Sequence, residues 1–139
     1  MTPQEVTEQL EGIASDQDFA SASSELTDGW TLAGAGLETV VPILHFIEEH
    51  PTIDFGTPGA LVHFVERFYQ HGYEELLLES VSRKPTSLTL WMVNRIANGT
   101  KEPDLRQRLV AAMQAARDSP AADPNTKQMA DRFLSRLAT

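Results

Sequence analysis

The sequence contains no cysteine among its 139 residues, and no lysine or arginine before Arg67. The absence of cysteine excludes disulfides, thiolate catalysis and thiolate metal sites. No apolar run approaches the roughly 18 residues that a membrane-spanning helix needs. The first residues, Met1 to Glu5, include no basic segment followed by an apolar stretch, so no signal peptide is visible. We therefore expect a cytoplasmic protein without a membrane partner.

Charge is divided unevenly along the chain. Residues 1–66 contain 12 acidic and no basic residues, whereas residues 67–139 contain 8 acidic and 11 basic ones. The first part therefore contributes −12 and the second +3 to the formal net charge of −9. An acidic surface of this kind repels phosphate backbones and anionic membranes, and it attracts basic proteins at long range. The pattern indicates a basic protein partner and argues against nucleic acid.

Helix signals recur from end to end. Thr2-Pro3-Gln4-Glu5 forms a capping box with proline at the first helical position. Apolar residues at helical spacing predict further helices at 36–50, 57–72, 73–81 and 88–98, another that begins at Pro103, and a last one from Pro124 or Thr126 onward, with a loop over 118–125. Pro42 either kinks its helix or marks the first turn of it. The stretch 16–29, rich in Ser, Asp and Ala, is predicted to be a loop with one short helix or a mobile segment.

These segments are joined by short turns that carry Pro or Gly, and short connections make neighbouring helices antiparallel. We expect an all-α fold in which residues 1–139 form a single helical domain. Its predicted architecture is a compact bundle of about seven antiparallel helices, or a short HEAT-like stack of helix pairs.

Histidines are the first candidates for chemistry. His45 and Glu49 stand at i,i+4, and His63 and Glu66 at i,i+3, spacings that place two side chains on one helix face. A zinc site needs three or four ligands, and no second histidine follows at helical spacing. The chain also lacks a Gly-x-Ser-x-Gly nucleophile elbow. We therefore expect no catalytic residue, metal or cofactor, with an enzyme or small-molecule binder using His45, His63 and nearby carboxylates as an alternative.

A binding surface is the remaining prediction, centred on the loop 51–57 and its acidic flanks. Acidic side chains steer a basic partner to the surface, and exposed apolar or aromatic groups prolong the complex. The predicted partner-binding residues are Glu38, Glu48, Glu49, Asp54, Phe55, Glu66, Tyr69, Tyr73 and Glu74.

Five segments together resemble a known family: 36–51, 54–59, 61–66, 80–86 and 91–99, which include the runs PILHFIEEHP, DFGTPG and WMVNRIANG. Their order and spacing are similar to those of small all-helical bacterial proteins encoded beside polymorphic toxins, the immunity proteins of those toxins. The resemblance covers roughly residues 30–135. It implies a non-enzymatic protein that binds its cognate toxin domain and blocks the active site of that domain, and it carries over no catalytic residue.

The acidic surface agrees with this expectation, because an inhibitor of a nuclease or of another toxin acting on nucleic acid or a nucleotide profits from carboxylates in place of phosphates. The alternative is a helical-repeat adaptor that binds a basic protein partner without inhibiting an enzyme.

Overall fold

The computed structural model describes residues 1–137, which form eight α-helices and one short 3-10 helix, Leu37–Thr39, without a β-strand. The α-helices are α1 (Pro3–Ile13), α2 (Phe19–Leu32), α3 (Val40–Glu49), α4 (Ala60–Glu66), α5 (Tyr73–Arg83), α6 (Ser87–Gly99), α7 (Pro103–Asp118) and α8 (Pro124–Leu137). The predicted all-α fold is confirmed. Within residues 1–137, no helix is both long and apolar enough to cross a membrane.

Contacts between Cα atoms divide the chain into two compact units, the N-terminal unit Met1–Leu76 and the C-terminal unit from Leu77 onward. In the N-terminal unit, α1 packs against α2 and α3, and α2 packs against α4. In the C-terminal unit, α6, α7 and α8 pack against one another pairwise. The predicted HEAT-like stack stays a prediction.

Two helix starts follow their local sequence signals. The Thr2 hydroxyl accepts a hydrogen bond from the Glu5 backbone N–H (3.1 Å), and the Glu5 carboxylate accepts one from the Thr2 backbone N–H (3.4 Å), which confirms the capping box. Pro42 is the third residue of α3, after the 3-10 helix. Of the two alternatives for Pro42, the first-turn position is therefore the correct one, since a first-turn residue has no intrahelical hydrogen bond to lose.

The predicted helix over 57–72 is too long, since α4 ends at Glu66 and turns follow it up to Gly72. Gln70 and Gly72 both have positive φ, 67° and 110°, which no α-helix accommodates. The Glu74 carboxylate accepts a hydrogen bond from the Gln70 backbone N–H at 2.8 Å and holds this turn in place.

The stretch 16–29 is not mainly loop, because most of it belongs to the 14-residue helix α2. The buried stripe of α2 contains two small polar residues, Ser23 and Thr27, between Phe19 and Trp30. Their hydroxyls donate to backbone carbonyls three residues earlier (3.2 and 3.1 Å), so both can be buried without a lost hydrogen bond. A sequence pattern that counts only large apolar residues at helical spacing therefore does not predict this helix.

Trp30 ties three helices of the N-terminal unit together. Its indole N–H donates to the Gln9 side-chain oxygen on α1 at 2.6 Å, and its ring meets Phe64 of α4 edge to face at 5.5 Å. Only 2% of Trp30 is exposed. The aromatic ring therefore stabilises the core of this unit, with its one polar atom satisfied.

The loop between α3 and α4 turns back on itself through Gly56 and Gly59, which have φ of 110° and 97°. A Cβ atom at Gly59 would lie 1.7 Å from the Phe55 carbonyl oxygen, and one at Gly56 would lie 2.7 Å from Gly59 Cα. Both contacts involve backbone atoms, which cannot rotate away. Only glycine therefore allows this close approach.

We expect Gly59→Ala to lower the free energy of unfolding by about 3 kcal/mol, because the substitution adds both a positive-φ strain and a backbone clash. Urea denaturation followed by circular dichroism measures this change. Gly12→Ala is the matched control: Gly12 is exposed in α1 with nothing within 4 Å of its added Cβ, so that variant should gain up to about 1 kcal/mol. Equal stability of the two variants would contradict the proposed loop conformation.

Candidate binding surface

The two compact units have opposite formal charge. The N-terminal unit contains 14 acidic residues against a single basic one, Arg67, and so carries −13. The remaining residues, from Leu77 onward, contain 6 acidic and 10 basic ones and so carry +4. Arg67 itself donates to the Thr31 hydroxyl at 2.8 Å and lies over the Phe64 ring. A candidate surface for a basic partner therefore belongs to the N-terminal unit.

A surface depression of about 380 Å³ lies in this unit between the end of α1, the start of α2 and the loop after α3. Its lining comprises the stretch 14–20 together with Ile53 and Asp54. Three carboxylates face this space, those of Asp16, Asp18 and Asp54, and all three residues are exposed. We call this feature the acidic depression.

Each of these three carboxylates is oriented by a backbone N–H. Asp16 Oδ1 accepts from the Asp18 N–H at 2.8 Å, and Asp54 Oδ1 accepts from the Gly56 N–H at 3.0 Å. Asp18 Oδ1 accepts from the Ser21 N–H at 3.2 Å and caps the N-terminus of α2. These local hydrogen bonds hold the three side chains in place. The side chains therefore lose less conformational entropy when a partner binds.

One residue that lines the acidic depression, Phe19, belongs to a cluster of three buried phenylalanines. Phe19 and Phe46 stack at 6.2 Å, and Phe55 meets them edge to face at 5.4 and 6.0 Å. Phe55 is 6% exposed. It therefore anchors the loop that carries Asp54 onto α2 and α3, and the predicted exposure of Phe55 as a partner contact is wrong.

The rim of the depression continues into Glu11, Glu49 and His50. The Ala14 N–H donates to the Glu11 carbonyl, and the Ile53 N–H donates to the His50 carbonyl. These two hydrogen bonds connect the rim to the lining of the depression. His50 Nε2 lies 3.0 Å from Glu11 Oε1, so the end of α1 and the end of α3 are in side-chain contact here.

The predicted partner-binding residues divide into three classes of exposure. Glu38, Glu49 and Asp54 are exposed, Glu66, Tyr69 and Glu74 are half-buried, and Glu48, Phe55 and Tyr73 are buried. Tyr73 and Glu48 are only 1% and 5% exposed, so neither offers a surface to a partner. Both side chains lie on the inner faces of their helices. Adjacent residues of a helix point in different directions, so Glu48 is buried while its neighbour Glu49 is exposed.

Glu38 and Glu74 belong to a part of the unit separate from the lining of the depression. A Cβ atom at Gly72 would lie 3.0 Å from Leu37 Cδ2, so the 3-10 helix lies beside the turn before α5. Glu38 Oε1 accepts a hydrogen bond from the Gly36 N–H at 2.9 Å. That bond, together with one from its own backbone N–H, holds the pKa of the Glu38 carboxyl below its ordinary value of 4.5.

Of the two predicted histidine–glutamate pairs, His63–Glu66 forms, whereas His45 lies beside Glu48 and not beside the predicted Glu49. His63 Nδ1 lies 3.4 Å from Glu66 Oε1, as the spacing predicts. His45 Nδ1 lies 3.8 Å from Glu48 Oε1 rather than beside Glu49. Neither pair gathers a third ligand within residues 1–137, whereas Glu11, Glu49 and His50 form a group of three.

The sequence analysis missed Glu11, Asp16 and Asp18 as candidates. Asp18 carried a usable signal, since an aspartate three residues before Ser21 fits a helix N-cap. Glu11 carried none, because it meets His50 across 39 positions of the chain. Contacts of that separation depend on how α1 and α3 pack.

A second depression, of about 450 Å³, lies in the C-terminal unit between α5 and α7. Four alanines, two serines and two aliphatic residues line it together with Arg108. It contains no carboxylate in its lining, so it does not extend the acidic surface.

In comparisons with known proteins, no protein-family model, no curated protein and no solved structure matches this chain. The candidate surface is therefore inferred from burial, charge and contacts.

The lowered pKa of Glu38 makes a pH-dependent contribution to stability. The contribution is fully present above the unfolded pKa and is lost as the pH falls through the lower folded pKa. We therefore expect wild type to be more stable than Glu38→Gln near pH 7, and this difference to shrink when urea denaturation is repeated at about pH 3. Glu25→Gln, exposed on α2, controls for the general loss of one acidic charge. A difference that is the same at both pH values would show that the Gly36 hydrogen bond does not hold this carboxylate.

Proposed function

We propose that this chain is an immunity protein, which binds a cognate toxin domain of a bacterial polymorphic toxin system through the acidic surface of its N-terminal unit and so blocks the toxin's active site. The observation that carries the proposal is the concentration of charge, 14 acidic residues against one basic residue in a single compact unit. The resemblance of segments 36–51 and 91–99 to such proteins supports it.

The charge of the N-terminal unit suits a basic partner. Toxins that act on nucleic acid or a nucleotide present lysine and arginine side chains to phosphate groups, and carboxylates compete for the same side chains. Opposite charge on the two proteins also raises their association rate. Fast association is useful to an inhibitor, because it must bind the toxin before the toxin acts.

The acidic depression supports the proposal through its rigidity. Asp16, Asp18 and Asp54 are each held by a backbone N–H, and they lie around a depression that is lined by one aromatic residue, Phe19. Oriented carboxylates bind a guanidinium or ammonium group with little ordering cost. A standard interface buries about 800 Å² on each partner, so the contact must extend beyond the depression to other parts of the surface of the N-terminal unit.

An adaptor with an acidic protein-binding face would share these features. The two functions differ in outcome, since an adaptor binds its partner without suppressing an activity. Inhibition of the partner is therefore the deciding measurement.

Co-expression with the candidate toxin domain encoded immediately upstream tests the function. We expect the toxin alone to stop growth, and growth to be restored when this chain is present. The purified pair should form a complex, and the complex should lack the toxin's activity. Killing that continues despite a stable complex would favour the adaptor, and killing without any complex would contradict both functions.

The acidic depression makes a separate kinetic prediction. In the triple variant Asp16→Asn, Asp18→Asn, Asp54→Asn, each new amide oxygen still accepts the backbone hydrogen bond, so the fold is retained while three charges are removed. We expect the association rate with the toxin to fall about tenfold at low salt and its salt dependence to flatten. Surface plasmon resonance at several salt concentrations measures both.

The matched control removes the same charge from the same unit outside the depression, by Glu8→Gln, Glu25→Gln and Asp28→Asn, all at exposed positions of α1 and α2. Its association rate should fall by less than about threefold, because only the long-range field changes. Equal effects of the two triple variants would show that the depression is not the contact.

A further inference from the structure

Glu11, Glu49 and His50 form a group that the proposed function does not require. Each offers one ligand atom, and the three atoms lie within 4.8 Å of one another. Glu11 comes from the last turn of α1, Glu49 is the last residue of α3, and His50 is the residue that ends α3. The group therefore joins two helices by side chains alone.

The electrostatics of this position favour a cation. A helix C-terminus bears a partial negative charge, and two C-termini meet here together with two carboxylates. Neither α1 nor α3 has a basic residue in its last turn to balance them. Helices normally place Lys or Arg at this position, so the charge of the group is opposite to the usual arrangement.

His50 is held in an orientation suited to binding. Its ring packs against Phe46 with 4.4 Å between centroids, and its Nε2 atom lies 3.0 Å from Glu11 Oε1. The ring is about one quarter exposed, so solvent reaches it while the aromatic contact limits its rotation. Nε2 thus points towards a carboxylate from a different helix.

We propose that Glu11, Glu49 and His50 bind one divalent transition-metal ion, with Zn²⁺ as the best-suited ion. One imidazole nitrogen and two carboxylate oxygens are ligands that Zn²⁺ accepts, whereas Ca²⁺ and Mg²⁺ prefer oxygen alone. Zinc–ligand bonds of about 2.0–2.2 Å bring ligand atoms to roughly 3.3 Å in a tetrahedral arrangement. Rotation of the two glutamate side chains covers the difference from the present separations, and water fills the fourth position.

Because the ligands come from α1 and α3, the bound ion links these two helices. An ion that binds only the folded chain raises the melting temperature in proportion to the logarithm of its concentration.

Isothermal titration of the purified, tag-free protein with Zn²⁺ tests the proposal, with Co²⁺ absorption as a second readout of the ligand geometry. We expect one site in wild type, and an affinity at least about tenfold lower in His50→Asn and in Glu49→Gln. His63→Asn is the control, because His63 also lies beside a glutamate, at 3.4 Å, without belonging to a group of three.

Thermal unfolding with and without Zn²⁺ gives an independent measure. The melting temperature of wild type and His63→Asn should rise with added Zn²⁺, and that of His50→Asn and Glu49→Gln should not. Circular dichroism checks that each variant folds. If His50→Asn does not fold, Glu49→Gln still tests the site, because Glu49 is exposed. Absence of zinc binding in wild type, or binding unaltered in both His50→Asn and Glu49→Gln, would overturn the proposal. Neither result depends on a toxin, so this site and the proposed function can fail separately.

Discussion

The packing of Phe19, Phe46 and Phe55 is the interaction on which the acidic depression depends. Each edge-to-face pair contributes roughly 0.5–1.5 kcal/mol beyond the apolar area it buries. The cluster joins α2, α3 and the loop after α3, so it determines where that loop lies. Asp54, carried on this loop, and Asp18, adjacent to Phe19, consequently lie around the same depression. Phe46 also packs against the His50 ring, so the cluster helps to position the contact between His50 and Glu11 of α1. Without these rings, the acidic residues would have no common scaffold.

Like charges close together oppose folding, and the N-terminal unit contains 14 acidic residues against one basic residue. Its structure limits this repulsion through backbone hydrogen bonds. Asp16, Asp18, Glu38 and Asp54 each accept a hydrogen bond from a main-chain N–H, and these charge-assisted bonds offset part of the repulsion without a cation. Glu11 and Glu49 differ, because they lie at helix C-termini, where exposed carbonyls add negative charge. The proposed toxin contact and the proposed metal site therefore rest on two different groups of carboxylates.

Local signals predicted much of the fold, because caps and periodic apolar residues act over one or two turns. The capping box at Thr2 is of this kind, whereas for Pro42 the local sequence left two alternatives, of which the structure selects the first-turn position. α2 escaped prediction because Ser23 and Thr27 occupy its buried stripe, and polar side chains are buried only where a specific carbonyl accepts from them. In the candidate site, Glu49 and Asp54 were predicted from their charge near the loop. Phe55 was predicted on the same basis and is buried, since nothing local indicates which side of a loop meets the core.

The sequence by itself determined the helical class and the segregation of charge, since both follow from residue types and their spacing along the chain. The tertiary structure decided which acids share a surface. Glu11 and His50 are 39 positions apart, and Asp16 and Asp54 are separated by the whole of α2 and α3. Their proximity results from helices packing through buried side chains, a property of the folded core that no short stretch of sequence contains.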